Sequence, residues 1–238
     1  MFFFTDSAST TTLSQQVIAY SESSGKTKLL EVNGDHHFSN YSWISCQVGP
    51  HGLFQQSYIS GNFRLLLMNV SYGSFTVEWT RSLDYTIKEL CLANFQDRFV
   101  FCLGFTKSPY VIHVNTDEEI KLNVMRFCLA SNRCQDVPKT HVGRQIASAC
   151  SLGDNLYVFG GWPGGNPVDK KFVSSIEKLS NPGSVNIMDQ VWELIDPPSS
   201  EDALVPRPNV GFAPLNSHEI AILGGSISIQ ARSGVVVT

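Results

Sequence analysis

Two stretches of this chain end a short apolar strand in a pair of glycines, and no other sequence feature limits the fold as strongly. Leu156-Tyr157-Val158-Phe159 runs into Gly160-Gly161, and Glu219-Ile220-Ala221-Ile222-Leu223 runs into Gly224-Gly225. Short runs of apolar, β-branched and aromatic residues fit buried strands. The glycines that follow allow a sharp turn or the close approach of another backbone, where a Cβ has no room. Gly153-Asp154-Asn155 precedes the first run and Asn216-Ser217-His218 the second, and both are turn sequences that tolerate left-handed backbone. An arginine opens the strand before each turn: Arg144 stands 17 residues ahead of Gly161, and Arg207 stands 18 ahead of Gly225. After Gly161 come two further strand candidates, Ser175 to Leu179 and Val191 to Ile195, the latter containing Trp192. One hairpin plus two more strands is thus a unit, and the chain holds more than one.

Weaker copies precede it. Residues 87 to 138 contain strands at Ile87 to Ala93, Arg98 to Gly104, Tyr110 to Val114 and Val124 to Ala130, and Arg133 to Pro138 takes the place that Val191 to Ile195 holds in the later unit. Gly104 stands where the later unit has its diglycine, and Cys134 where it has Trp192. Residues 53 to 81 and 13 to 48 read as two more strand clusters, punctuated by Ser60-Gly61-Asn62, Ser71-Tyr72-Gly73-Ser74 and Asn33-Gly34-Asp35. Leu13, Gln16, Val17 and Tyr20 share a helical face, but the β-branched pair Val17-Ile18 favours a strand. The last unit, 207 to 238, reaches its third strand at Gly234 to Thr238. No segment of useful length has a helical period, so an all-β fold is expected.

The diglycines at Gly160-Gly161 and Gly224-Gly225, the arginines Arg144 and Arg207, and Trp192 together resemble the kelch repeat, a blade of the β-propeller shared with the central domain of galactose oxidase. The resemblance is closest over residues 144 to 225. It implies one propeller domain over residues 1 to 238 with about four to five blades of four antiparallel strands, the approximate blades being 13–48, 53–81, 87–138, 142–195 and a partial 207–238. Such blades stack face to face about an axis. It further implies that Arg144 and Arg207 contact neighbouring backbone and that Tyr157, Phe159 and Trp192 wedge between blades. Four units plus a partial fifth fall short of the usual five to seven. Either Met1 to Thr5 completes the last sheet, or the propeller is incomplete, which an open edge in Val235 to Val237 favours.

Catalytic signatures are missing where they would be expected. Gly25-Lys26-Thr27 has Tyr20 where a phosphate-binding loop needs glycine, and reads as a hairpin turn. The glycine-rich run Gly160 to Gly165 lacks dinucleotide spacing, and Pro163 and Pro167 break the helix such a site requires. His36 and His37 point to opposite faces of an extended chain, which argues against joint metal binding. His113, His141 and His218 have no carboxylate or cysteine at ligand spacing, and no copper set of the galactose oxidase kind can be assembled. No metal or other cofactor is expected, and no catalytic residue is assigned.

Partners follow from charge and loops. A net charge of −4 and a pI near 5.8 give no reason to expect nucleic acid or an anionic membrane. Met1 to Phe4 is cut short by Thr5-Asp6-Ser7, too early for a secretory leader, and no run nears the roughly 18 apolar residues of a membrane span. The six cysteines, Cys46, Cys91, Cys102, Cys128, Cys134 and Cys150, are scattered through apolar runs without a Cys-x-x-Cys pair and read as reduced. The expectation is a cytoplasmic or nuclear protein-interaction module without catalysis of its own. Its best contact loop starts at Trp162, with Asp169, Lys170 and Lys171 as polar contacts. The alternatives are a kelch-fold oxidase or lyase, and a piece of a longer kelch protein such as a ubiquitin-ligase substrate adaptor.

Overall fold

The computed structural model describes residues 2–9, 12–21, 26–32, 44–49, 52–59, 62–71, 74–82, 86–106, 123–144, 147–161, 173–195 and 210–224, and divides into two compact units, Met1–Asp84 and Tyr85–Thr238. Strands make up both, and the one helical element described is a single 3-10 turn at Ile187–Asp189.

The first unit is a seven-stranded sheet of β1 (Phe2–Ser9), β2 (Thr12–Ser21), β3 (Lys26–Val32), β4 (Ile44–Val48), β5 (Gly52–Ile59), β6 (Asn62–Ser71) and β7 (Ser74–Ser82), in the order β1-β2-β3-β7-β6-β5-β4. The run Leu13 to Tyr20 is strand, as its β-branched pair suggests. Two features differ from the sequence reading. Tyr41 to Val48 is expected from the sequence to close a first unit; its described part, Ile44–Val48, pairs instead with β5, Val48 opposite Gly52, and Gly49 follows at φ 61°. Local turn chemistry decided that pairing: a tight hairpin costs less chain entropy than a return to β3. The two expected N-terminal units are also hydrogen-bonded into one sheet, through a parallel contact in which Glu31 faces Ser74 and Val32 faces Phe75. Phe2 to Thr5 belong to β1, which pairs with β2 along its whole length.

The second unit contains three antiparallel sheets. Sheet C comprises β8 (Thr86–Phe95), β9 (Phe99–Thr106), β10 (Asn123–Cys128) and β11 (Arg133–Val137). Sheet D comprises β12 (Ser148–Leu152), β13 (Asn155–Phe159), β14 (Ile176–Ser180) and β15 (Val191–Ile195), and sheet E holds β16 (Val210–Pro214) and β17 (Ile220–Gly224). Gly153 with φ 57° and Asp154 form the two-residue turn between Leu152 and Asn155, as the sequence led us to expect. Gly104, Gly160 and Gly224 all have positive φ, at 98°, 69° and 69°; Gly104 lies within β9, Gly160 directly follows β13, and Gly224 ends β17. A side chain there would be strained.

Strand alternation gives sheet D two unlike faces. Ala149, Leu156, Val158, Leu179 and Trp192 point towards sheet C and join Ala93, Phe95, Phe99, Phe101, Leu103, Val124 and Val137 in one buried cluster. Phe159 points the other way and stacks on Phe212 of sheet E at 5.8 Å. The first strands β8, β12 and β16 lie side by side. Ser151 Oγ donates to Asn94 O at 2.6 Å, and Ser148 Oγ donates to Val210 O at 2.7 Å. Sheets C, D and E are therefore stacked face to face, first strands together.

Candidate functional site

Every charged group buried in sheet D is committed to holding the chain in place. Residues 138 to 144 carry the chain from β11 to sheet D, and this linker cannot form a ladder of its own. Glu177, on the face of β14 that meets sheet C, takes its amides instead: His141 N donates to Oε2 at 2.6 Å and Val142 N to Oε1 at 3.2 Å. Arg144 closes the cage, with Nε donating to Glu177 Oε1 at 3.1 Å, while both side chains are fully buried. Its NH1 donates to Gly160 O at 3.0 Å and Ser175 O at 2.9 Å, and its NH2 to Ser175 Oγ at 3.0 Å. Burial holds the Arg144 pKa below the usual guanidinium value, against the pull of Glu177 in the opposite direction. Trp192 Nε1 donates to Pro138 O at 2.8 Å, and His141 Nε2 donates to Trp192 O at 2.7 Å, an assignment that follows from the carbonyl being an acceptor. A carbonyl turned away from β14 is thereby capped on the outer edge of the sheet. By register, sheet C carries Met125 where sheet D has Glu177, so sheet C does not repeat this latch.

A second cation joins sheets C and D. Arg126 on β10 is buried with its guanidinium 4.6 Å from the Phe99 ring centre. NH1 donates to Pro182 O at 3.0 Å and Ser184 O at 2.6 Å, and NH2 to Gln135 Oε1 at 2.6 Å. Gln190 Nε2 donates to the same two carbonyls, at 3.2 Å and 3.4 Å. The loop between β14 and β15 is thus held by a donor from sheet C, Arg126, and by one from its own end, Gln190. Arg126 Nε and Gln190 Oε1 have no partner, and burial lowers the Arg126 pKa.

The cysteines divide by environment. Burial pushes the Cys150 thiol up from 9.0 to about 12. At Cys128, half-buried beside the β10–β11 turn, a hydrogen bond from Ser131 holds the pKa below the thiol value. Alkylation of native protein at neutral pH should therefore modify Cys128 well before Cys150, since the thiolate is the nucleophile; equal rates in a peptide-mass time course would refute this. The Cys150 shift also fixes a sign. The neutral thiol is favoured in the folded state, so its contribution is complete below pH 9.0 and is lost as pH rises towards about 12. A Cys150→Ala protein should lose less stability than the parent across that alkaline window.

Apolar side chains gather on the outer margin of sheet D. Val185 is 92% exposed and Met188 83%, both in the loop before β15, and Val191, Leu194 and Ile195 on β15 follow at 54%, 48% and 37%. The loop keeps its shape through Asn186, whose side chain accepts from Met188 N at 3.2 Å and donates to Asp189 Oδ1 at 3.0 Å. Lys178 and Glu193 form an ion pair at 2.7 Å across β14 and β15. Solvent exposure limits its stabilising effect to about 1 kcal/mol or less.

Of the residues singled out in the sequence, Arg144, Gly160 and Trp192 converge on one latch, with Gly161 beside it: Val173 N donates to Gly161 O at 3.0 Å. Gly224 ends β17. Trp162, Asp169, Lys170, Lys171, Arg207 and Gly225 lie outside the described residues, as do the strands expected at Tyr110 to Val114 and Gly234 to Thr238. Glu177, Arg126, Gln190 and His141 were not singled out as site residues. For Glu177 a signal existed, because it shares strand parity with Leu179 and so lies on the face that Leu179 buries. Among the described residues no group of three potential metal ligands forms, and no helix is long and apolar enough to cross a membrane.

No family model matches the sequence, and no curated protein does. Solved structures do match, 121 chains among them. One, described as "Structure of YjhT", superposes with a TM-score of 0.59 at 11% identity, over 89% of this chain. The chain spans 65% of the length of that structure. Stacked four-stranded antiparallel sheets and this likeness together give the chain an all-β fold of the β-propeller class, with sheet E holding fewer strands than its neighbours among the described residues.

Proposed function

We propose that the protein is a kelch-type protein-interaction module without catalysis of its own. The reading is carried by the exposed apolar set Val185, Met188 and Leu194 around β15. A cluster of large apolar side chains on an otherwise polar surface marks an interaction site more often than an accident of packing. The scaffold beneath is rigid, because the loop's carbonyls at Pro182 and Ser184 are fixed by Arg126 and Gln190. Buried charges at Arg144 and Glu177 support the same reading, since each is consumed by backbone contacts. The loop from Trp162 to Lys171 offers a second contact region on sequence grounds. A photo-crosslinking residue placed at Met188 should capture a discrete protein in cells, and the adduct should vanish when Val185 and Leu194 are changed to Ser. Capture of nothing, or of the same adduct with and without those changes, would remove this surface from the proposal.

A further inference from the structure

Strand β15 ends sheet D, and among the described residues no strand pairs with it on the side away from β14. Such an edge presents backbone groups that a strand from another chain can take up. The sequence of β15 raises that hazard. Val191, Leu194 and Ile195 are apolar and exposed, and they lie on both faces of the strand. The one charged residue in it, Glu193, is paired with Lys178, which leaves little net charge to repel a second strand. Strand alternation fixes which backbone groups are offered. Trp192 O accepts from His141 and not from β14, so the peptide groups of Trp192 point outward, and those of Leu194, two residues on, point the same way.

The strap of residues 138–144 reaches this edge. Pro138 O accepts from Trp192 Nε1 at 2.8 Å, and Thr140 Oγ1 donates to Val142 O at 3.0 Å. The amides of His141 and Val142 donate to Glu177 at 2.6 Å and 3.2 Å. These bonds fix the backbone on both sides of His141, an exposed residue whose Nε2 donates to Trp192 O at 2.7 Å. With the backbone already held, the imidazole loses little freedom when it makes that bond. Its effect on the edge is large, because a ladder needs consecutive pairs. A strand that paired with Leu194 would meet the imidazole at the next outward-facing position.

We propose that His141 is an edge guard: positioned by the strap, it closes β15 against strand addition by a second copy of this chain. The second copy is the occupant excluded because the edge is complementary to itself. Apolar side chains on both faces, outward backbone groups at Trp192 and Leu194, and a charge offset by its own neighbour suit an identical strand on either side of the contact. The inference goes beyond the interaction-module reading, which concerns side chains around Met188 and not the backbone edge.

The test uses the full chain and follows its association by sedimentation over a range of concentrations. H141A should associate at a concentration at least about tenfold lower than the parent, the scale set by one or two backbone hydrogen bonds gained between chains. H141Q, whose side-chain amide nitrogen can stand in for Nε2, should associate no more readily than the parent. Adding L194K to H141A should return association to the parent value, because a second copy would have to bury the new charge. Hydrogen exchange of the Leu194 amide should be rapid in the parent and at least about tenfold slower in associated H141A, as expected when an edge strand gains a partner. H141A that associates no more readily than the parent would overturn the proposal. So would association that H141Q shares or that L194K leaves in place, since either would assign it to partial unfolding and not to the edge of β15. A Leu194 amide already slow in dilute parent would mean that the edge is paired within the chain and has no need of a guard.

Discussion

Replacing Arg144 by methionine should destabilise the Tyr85–Thr238 unit by about 3–5 kcal/mol, the range for breaking a buried ion pair and leaving one charge behind. Glu177 would keep its bonds to His141 N and Val142 N but lose the guanidinium it is paired with. The carbonyls of Gly160 and Ser175 would each lose a charged donor. Urea unfolding of the two proteins measures the difference directly. A double change, R144M with E177L, removes the stranded charge but leaves the amides of His141 and Val142 without acceptors, so recovery should be partial. If R144M cost less than about 1 kcal/mol, within the range of a surface pair, the latch would have no structural importance.

Trp192→Ala should cost a similar amount, about 3–5 kcal/mol, for a different reason. Truncating a large buried aromatic removes its transfer energy and opens a cavity that close-packed neighbours fill only in part. Those neighbours are Leu156, Leu179 and the side chains of sheet C, in the cluster that joins the two sheets. Trp192→Phe separates the two contributions. Most of the ring volume stays, while the bond from Nε1 to Pro138 O is lost, which should cost about 1 kcal/mol. The exposed neighbour supplies the control: Leu194→Ala on the same strand should fall within about 0.5 kcal/mol of the parent. An alanine at 192 as mild as one at 194 would contradict the burial of Trp192 in the cluster between sheets C and D. Chemical unfolding monitored by far-ultraviolet circular dichroism suits all three variants, since it does not depend on the tryptophan.

Much of the second unit was legible because its signals are local. A turn such as Gly153-Asp154 works through the backbone preferences of its own residues, and the run from Leu156 to Phe159 needs only a pleat and a core to bury against. The arginine and the diglycine flank one hairpin, Arg144 standing before β12 and Gly160 after β13. The first unit was less legible. Its strands were recognisable, but which strand pairs with which depends on competition among hairpins of similar quality. Gly49, with its left-handed backbone, settled that competition for β4, a choice hidden in a sequence where Ile44 to Val48 suits either neighbour.

The candidate site divides in the same way. Arg144, Gly160 and Trp192 stood out by type and spacing, yet their shared task was invisible. Glu177 lies 33 residues from Arg144, and its parity with Leu179 marks its face but not its partner. Only the register that sets Glu177 opposite Val158 turns it towards sheet C and makes it a buried acceptor. Arg126 likewise reads as surface in the sequence, and becomes buried because the loop from Pro182 to Ser184 is packed over it.

The sequence by itself determined the all-β character, the hairpins of the second unit and the glycine positions where the backbone turns left-handed, since each follows from the conformational limits of a few adjacent residues. Tertiary structure alone decided which charges are buried, and that Trp192 is covered while its neighbours on β15 stay exposed. Those outcomes depend on strand register and on the stacking of sheets distant in sequence, where a shift of one residue would exchange the buried face for the exposed one.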